Sequence, residues 1–107
     1  MKSFLHPNID EVALPNILHA LGDSKRLQIV RNLYKASKQL TCMEAIEGID
    51  NLPLATRSHS FRVLRESGLI RSEKRGRECL NNLRFEEIEG KFPKVLSNII
   101  RSIPSEA

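Results

Sequence analysis

The chain has 107 residues, with 17 Lys and Arg against 13 Asp and Glu, which gives a net charge of +4 at pH 7. This length is enough for one domain with a single core. A composition that is 40% hydrophobic and 28% charged excludes disorder along the whole chain, collagen-like repeats and low-complexity assembly. A positive excess of this size favours an acidic or polyanionic partner.

The sequence predicts a cytoplasmic protein without a membrane segment. Its longest stretch free of charged residues, Val12 to Gly22, has 11 positions, well short of the roughly 20 apolar residues of a membrane helix. The first residues include Lys2 and Asp10 and contain no apolar region of a secretory signal. Two cysteines, Cys42 and Cys79, are too few for a disulfide framework and are predicted to be reduced thiols.

Two amphipathic helices are predicted in the first third of the chain, after an amino-terminal arm over residues 1–13. The first apolar stripe at helical spacing comprises Leu14, Ile17, Leu18 and Leu21. The second comprises Leu27, Val30, Leu33 and Tyr34. Gly22 is suited to end the first helix, and Asp23 or Ser24 is suited to cap the second.

A helix-turn-helix pattern follows. Thr41 and Glu44 have the spacing of a capping box, which opens a short helix. Pro53 suits the first position of the next helix, and Gly68 suits a left-handed cap after its end. We therefore predict a helix over residues 53–67.

The helix over residues 53–67 is predicted to have an outward face of small, polar or basic residues. At 100° per residue, Leu54, Phe61 and Leu64 set the inward direction. The residues that point away from it are Ala55, Thr56, His59, Arg62 and Val63. Short side chains let a helix approach the DNA major groove, hydroxyls and imidazole pair with base edges, and Arg binds guanine or phosphate. A helix whose outer face is simply solvated is the alternative at this point.

A β-hairpin with a basic turn is predicted over residues 69–84. Apolar and polar residues alternate on both sides of a Gly-containing turn. This turn carries Lys74, Arg75 and Arg77, which can follow a phosphate backbone or enter a minor groove. A basic turn by itself is typical of a solvated surface. The order of three helices followed by a basic hairpin, however, indicates a winged helix.

The positive charge is concentrated in these two elements. Residues 53–84 hold eight basic and three acidic residues, a net charge of +5. The rest of the chain holds nine basic and ten acidic residues, a net charge of −1. The excess therefore belongs to the helix and hairpin that are candidates for DNA contact.

A helix over residues 85–103 is the last predicted element. Its apolar stripe comprises Phe92, Val95, Leu96, Ile99, Ile100 and Ile103. Pro104 ends the helix, and Pro93 predicts a kink or a restart within it. We expect a homodimer, because so small a domain cannot easily cover both this stripe and that of the first helix alone.

Three segments resemble the ArsR family of bacterial winged-helix repressors. They are residues 18–30 (LHALGDSKRLQIV), 58–70 (SHSFRVLRESGLI) and 71–77 (RSEKRGR). Residues 85–103 are similar to the last helix of many family members that do not sense metals. The resemblance implies a single winged helix-turn-helix domain, mainly α with a β-hairpin, that dimerises through its first and last helices.

The function implied by this resemblance is that of a sequence-specific regulator of transcription. Such a protein binds double-stranded DNA as a homodimer at a pseudopalindromic operator and acts as a repressor. An inducing ligand or modification then weakens DNA binding. The DNA-contacting residues carried over to this sequence are Thr56, Arg57, Ser58, His59, Ser60, Arg62, Lys74, Arg75 and Arg77.

Two positions depart from the family pattern. Arg57 stands where an apolar residue such as Val is common, so it either reaches a phosphate or alters how the helix packs. Leu54 and Ala55 stand where polar residues are common. Fewer base-edge contacts and a greater reliance on DNA shape are expected from this change.

We predict no metal, no other cofactor and no enzymatic activity. Where metal-sensing relatives carry Cys-x-Cys, this chain has Cys42-Met43-Glu44, with one thiolate where soft metals need several. Residues 85–103 contain no histidine for the other common metal site, and no catalytic motif is present. Cys42 and Cys79 are predicted to be small buried hydrophobes, with oxidant sensing as the alternative.

A second function remains open from the sequence alone. The same winged helix could be an interaction module or an antirepressor that docks an acidic protein on its basic face. A DNA-binding protein and a docking module differ in whether DNA binding is measurable at all and whether it depends on salt.

Overall fold

The structure is a computed structural model that describes residues 4–104. The first three residues of the predicted arm and the last three of the chain lie outside the described residues. A 3₁₀ turn at Ile9–Glu11 precedes six helices, α1 Leu14–Leu21, α2 Ser24–Ala36, α3 Cys42–Ala45, α4 Leu54–Ser67, α5 Phe85–Lys91 and α6 Val95–Ser102. The strands are β1 Leu40–Thr41, β2 Ile70–Arg75 and β3 Glu78–Leu83. The prediction of a mainly α, winged helix-turn-helix fold is confirmed.

The helix ends have the caps that the sequence predicts. The Asp23 carboxylate accepts hydrogen bonds from two backbone N–H groups in the first turn of α2, both at 3.0 Å. At α3, the Thr41 N–H donates to Glu44 Oε1 at 2.9 Å, and the Glu44 N–H donates to Thr41 Oγ1 at 3.2 Å. Gly68 ends α4 in the left-handed region, with φ of 94°. These bonds satisfy backbone groups that helix ends otherwise leave unpaired.

The sheet has three antiparallel strands in the order β1-β3-β2. β2 pairs with β3 from Ile70 opposite Leu83 to the turn, so the predicted hairpin is confirmed. β1 was not predicted, and it pairs with β3 on the other side, with Leu40 opposite Asn81. A strand of two residues is too short to show the alternation by which strands are recognised in a sequence.

The predicted helix over residues 85–103 is two helices, α5 and α6. Phe92, Pro93 and Lys94 separate them, and Lys94 has a left-handed φ of 68°. Proline has no N–H for a helical hydrogen bond, and its ring collides with the preceding turn. Residues 85–103 were thus predicted as one helix but form two, and the break lies at Pro93, where a kink or a restart was expected.

One core lies between the helices and the sheet. Its fully buried side chains include Ile17, Ile29, Val30, Leu64, Leu69, Ile70, Ile88 and Leu96. The apolar stripe of the last helix is shared between this core and the surface, because Leu96 is buried while Val95 and Ile99 are half-buried. On α1, Leu18 is 48% exposed. The chain therefore buries only part of the two stripes from which dimerisation was predicted.

The amino-terminal arm is part of the fold from Phe4 onwards. Lys91 Nζ donates hydrogen bonds to three backbone carbonyls of residues 9–12, at 2.7 to 2.9 Å. Arg84 Nη1 donates to the Pro7 carbonyl at 2.9 Å. These bonds fix the arm against α5 and the end of β3.

Candidate nucleic-acid interface

α3 and α4 form the helix-turn-helix unit, and both are fixed by the rest of the chain. Phe61 is 3% exposed and Leu64 is fully buried, so they fix the inward face of α4. From α2, Asn32 Nδ2 donates to the carbonyls of Ala45 and Glu47, at 2.8 and 3.0 Å. The opposite side of α4 is therefore presented to solvent by a well-packed framework.

The outer face of α4 consists of four of the predicted site residues, Thr56, Ser58, His59 and Arg62, all of which are exposed. Ser58 and His59 lie on the same side of the helix as Arg62, because they precede it by four and three residues. Arg62 Nη2 lies 3.4 Å from His59 Nδ1. This face therefore presents two hydroxyls, an imidazole and a guanidinium, groups that can bond to base edges or phosphates.

Three side chains of α4 lie differently from the prediction. Ser60 is 2% exposed and is therefore covered by the core rather than available to a partner. Leu54, predicted to face inward, is 70% exposed, and Val63, predicted to face outward, packs against the core. The predicted inward direction of α4 was calculated with Leu54 included, and this shifted the expected buried face away from Ser60. Leu54 is the first residue of the helix, and its side chain does not reach the core.

Arg57 lies against α3. Its side chain is half-buried, and its Nη1 is 3.5 Å from Met43 Sδ. Its Nε is buried and has no hydrogen-bond partner among residues 4–104. The Arg57 guanidinium thus packs between α3 and α4. Of the two expectations for Arg57, this contact favours a change in how α4 packs over a contact with phosphate. A contact between Arg57 and DNA stays a prediction.

The wing presents its cations at a two-residue turn between β2 and β3. Gly76 has a φ of 64°, which type I′ and II′ hairpin turns require at this position. Lys74, Arg75 and Arg77 are all exposed. Arg75 Nη2 donates to Glu73 Oε2 at 2.7 Å, and this hydrogen bond lowers the pKa of the Glu73 carboxyl. Within residues 4–104, neither Lys74 nor Arg77 forms an ion pair.

Four of the eight basic residues in the 53–84 stretch contact other parts of the chain. Arg57 lies against Met43, and Arg71 Nη2 pairs with Glu87 Oε1 at 3.3 Å. The Arg84 side chain is 3% exposed, and its Nε donates to Glu87 Oε1 at 2.6 Å, which lowers the pKa of that carboxyl. The Arg65 guanidinium lies 4.2 Å from the centre of the Phe4 ring, in a cation–π contact. The basic residues of this stretch that remain exposed are Arg62, Arg71, Lys74, Arg75 and Arg77. The charge available to a partner is therefore concentrated at the wing.

Met43 and Leu54 are exposed apolar residues near the starts of α3 and α4 that the sequence reasoning did not assign to the site. They are 64% and 70% exposed. Met43 could have been identified because it belongs to no predicted apolar stripe, whereas Leu54 was counted in the inward stripe of α4. In a major groove, such side chains contact the methyl group of thymine.

The described part of the chain shows neither a metal cluster nor a membrane helix. Among residues 4–104, no three His, Cys, Asp or Glu side chains are grouped so that they could hold a metal ion. None of the helices in this part is long and apolar enough to cross a bilayer. Cys42 and Cys79 are free, half-buried thiols.

Solved structures with the same architecture include two regulators. The ArsR-family transcriptional regulator RHA00566 aligns with a TM-score of 0.65 at 23% sequence identity, covering 80% of this chain and 91% of its own. The transcriptional repressor BigR from Xylella fastidiosa aligns with a TM-score of 0.64 at 22% identity, covering 87% of this chain and 88% of its own. At these identities, the likeness is one of fold.

Sequence similarity identifies the family. The uncharacterized HTH-type transcriptional regulator YceK of Bacillus subtilis is 34% identical over 90 residues, which cover 84% of this chain and 89% of the relative. No protein-family model matches the chain. The chain belongs to the HTH-type transcriptional regulators, and it has the winged helix-turn-helix fold of the ArsR-family structures.

Proposed function

We propose that this protein represses transcription by binding a pseudopalindromic DNA operator as a homodimer in the bacterial cytoplasm. The observation that carries this proposal is the exposed polar and basic outer face of α4, which a packed helix-turn-helix framework presents beside a cationic wing. Its role is recognition, without catalysis. An inducing ligand or modification lowers its DNA affinity.

The outer face of α4 enters the major groove. Ser58, Thr56 and His59 bond to base edges, and Arg62 binds guanine or an adjacent phosphate. The small side chain of Ala55 lets the helix approach closely. Leu54 contacts a thymine methyl, which supplies base readout without a hydrogen bond. Ser60, which is buried, is not included in this interface.

The wing binds the DNA backbone or the neighbouring minor groove. Lys74 and Arg77 have no ion pair within residues 4–104 and are free to bind phosphate. Arg75 must exchange its bond to Glu73 for one to DNA. Each phosphate contact releases condensed counterions, so this part of the affinity falls as the salt concentration rises.

Dimerisation places two copies of this interface on one side of the DNA. The apolar surface left by the monomer on α1 and α6, which includes Leu18, Val95 and Ile99, supports pairing through these helices. A two-fold dimer of helix-turn-helix domains presents its recognition helices about 34 Å apart, one turn of DNA. The operator is therefore expected to have two half-sites with that spacing.

DNA binding is tested by fluorescence anisotropy with the region upstream of the protein's own operon and with shuffled DNA of the same length. We expect tighter binding to the upstream region and weaker binding as salt increases. Arg62→Ala should reduce discrimination between the two DNAs by about 1–3 kcal/mol. Lys35→Ala, which removes the same charge from an exposed position on α2, is the control and should have little effect.

Two results would contradict the proposal. Equal affinity for the upstream and shuffled DNAs would exclude operator recognition. No DNA binding, with an acidic protein captured through Arg75 and Arg77 instead, would favour the docking module. Sedimentation equilibrium tests the homodimer separately, because a species of only 12.2 kDa at micromolar concentration would exclude it.

A further inference from the structure

Cys42 and Cys79 face each other where β1 runs into α3. The last pair of the β1–β3 ladder is Thr41 with Leu80. Cys42 follows Thr41 as the first residue of α3, and Cys79 precedes Leu80 on β3, so both cysteines flank this pair. A disulfide needs Cβ atoms about 3.5–4.5 Å apart. The two thiols must therefore lie beside each other, which their contacts with Asn81 support.

Both thiols contact the same buried side chain, Asn81. Asn81 Nδ2 lies 3.4 Å from Cys42 Sγ, to which it donates, and Cys79 Sγ donates to Asn81 Oδ1 at 3.9 Å. The amide also bonds to the Leu40 carbonyl at 3.3 Å and to Ser72 Oγ at 2.7 Å. Asn81 has no exposed surface and is fixed by these four partners. The two sulfur atoms are therefore held on one side of the sheet by a common rigid group.

The environment of Cys79 also places the two thiols side by side. Burial raises the pKa of the Cys79 thiol to about 11, and the Cys42 sulfur beside it adds to the rise. Cys79 is therefore protonated at neutral pH. Both residues are half-buried.

We propose that Cys42 and Cys79 form a reversible disulfide that links the start of α3 to wing strand β3, with a low-molecular-weight disulfide as the oxidant. The Cys42 thiolate attacks one sulfur of the reagent, whose S–S bond breaks and releases one thiol after protonation. Cys79 then attacks the Cys42 sulfur of the mixed disulfide and releases the second thiol, which takes up the Cys79 proton. Two protein thiols are oxidised, and one small disulfide is reduced to two thiols.

The disulfide is expected to lower DNA affinity, and this part rests on the proposed function. Sulfur atoms in a disulfide are about 2.05 Å apart, closer than any contact between two separate thiols. Bond formation therefore draws α3 and β3 together and removes the Cys79 S–H bond to Asn81. Because α3 belongs to the helix-turn-helix unit and β3 to the wing, their relative movement alters the spacing of two surfaces that must contact DNA together.

The disulfide is tested on the full-length chain by equilibration with oxidised and reduced glutathione, followed by intact mass and peptide mapping. We expect a loss of about 2 Da and a Cys42–Cys79 crosslinked peptide, both reversed by excess reduced glutathione. Cys42→Ser and Cys79→Ser should each give only glutathione adducts. Mixed disulfides or crosslinked dimers in the unsubstituted chain, without the intramolecular crosslink, would overturn the proposal. This measurement needs no variant and does not depend on DNA binding.

The effect on DNA is measured by anisotropy with the same protein before oxidation, after it and after reduction. Oxidation should weaken operator binding by about tenfold, and reduction should restore it. The Cys79→Ser variant, which circular dichroism must show to be folded, cannot form the crosslink, so it measures the effect of a glutathione adduct on Cys42 and should lose less affinity than the crosslinked chain. Equal affinity of the crosslinked and reduced chains would overturn the regulatory part. Absence of DNA binding by the reduced chain would instead contradict the proposed function, while the mass measurement still decides the disulfide.

Discussion

His6 Nε2 accepts a hydrogen bond from the backbone N–H of Ser72 at 2.9 Å, between residues that are 66 positions apart in the chain. Ser72 lies on β2, one of the two outer strands of the sheet. An outer strand leaves its backbone N–H groups open to other chains unless something covers them. His6 thus covers part of the wing's free edge, and it does so only while its Nε2 carries no proton.

Protonation of His6 should destabilise the fold. Burial, followed by the charges of Arg71, Arg84 and Arg65, lowers the pKa of His6 from its ordinary value of 6.5. As the pH falls, the unfolded chain therefore binds a proton before the folded chain does. The stabilisation by neutral His6 is complete above about pH 6.5 and is lost as the pH falls through the folded-state pKa.

Replacing His6 measures this contribution. His6→Ala should lower the free energy of unfolding by about 1 kcal/mol at neutral pH, and by less at about pH 5. Urea unfolding of the variant and the unsubstituted chain at both pH values measures the change in the free energy of unfolding at each pH. His19→Ala, at an exposed position on α1, is the control. The same loss at both pH values would show that the His6 hydrogen bond does not titrate.

Gly68→Ala should destabilise the chain more than Gly48→Ala. Both glycines have positive φ, 94° and 83°, so both substitutions carry backbone strain of about 1–2 kcal/mol. A Cβ at Gly68 would also lie 2.5 Å from Val12 Cγ2, whereas a Cβ at Gly48 would meet no atom within 4 Å. The collision should add about 1–3 kcal/mol, measured by urea unfolding. Equal losses at the two positions would contradict the close packing of α4 against the arm.

Ser58→Ala and Ser60→Ala should have different effects on DNA binding. Ser58 is exposed on the outer face of α4, so loss of its hydroxyl should weaken operator binding by about 1 kcal/mol, roughly fivefold. Ser60 is 2% exposed, and Ser60→Ala should leave both affinity and base preference unchanged. Anisotropy with operator and single-base variants compares the two. A greater effect of Ser60→Ala would mean that α4 meets DNA with another face.

Two substitutions in the wing should change DNA affinity in opposite directions. Glu73→Gln releases Arg75 from its ion pair and should increase affinity, because Arg75 no longer has to exchange partners. Arg77→Ala removes an unpaired cation and should reduce the slope of log K against log salt by about 1 for each protomer. Glu86→Gln, an exposed acid on α5 with the same charge change, is the control for Glu73→Gln. If Glu73→Gln and Glu86→Gln increased DNA affinity equally, the effect would come from net charge and not from the release of Arg75.

Local patterns in the sequence predicted the order of most elements. The Asp23 cap, the Thr41–Glu44 capping box and the left-handed Gly68 depend on groups within a few residues of one another, so they could be identified without a tertiary structure. The same applies to the apolar spacing of the longer helices and to the Gly-containing turn of the wing. The two-residue strand β1 was not resolved by these patterns, and Pro93 left a kink and a restart of the last helix as alternatives.

The winged helix-turn-helix arrangement and the location of the polar and basic candidates for DNA contact follow from patterns in the amino-acid sequence. The tertiary structure shows that Ser60 is buried, that Leu54 is exposed and that Arg84 donates to the Pro7 carbonyl. It also decided the approach of Cys42 to Cys79 and of His6 to Ser72. Periodicity and capping arise from interactions within one or two turns of chain, whereas these contacts join distant residues and depend on how whole elements pack.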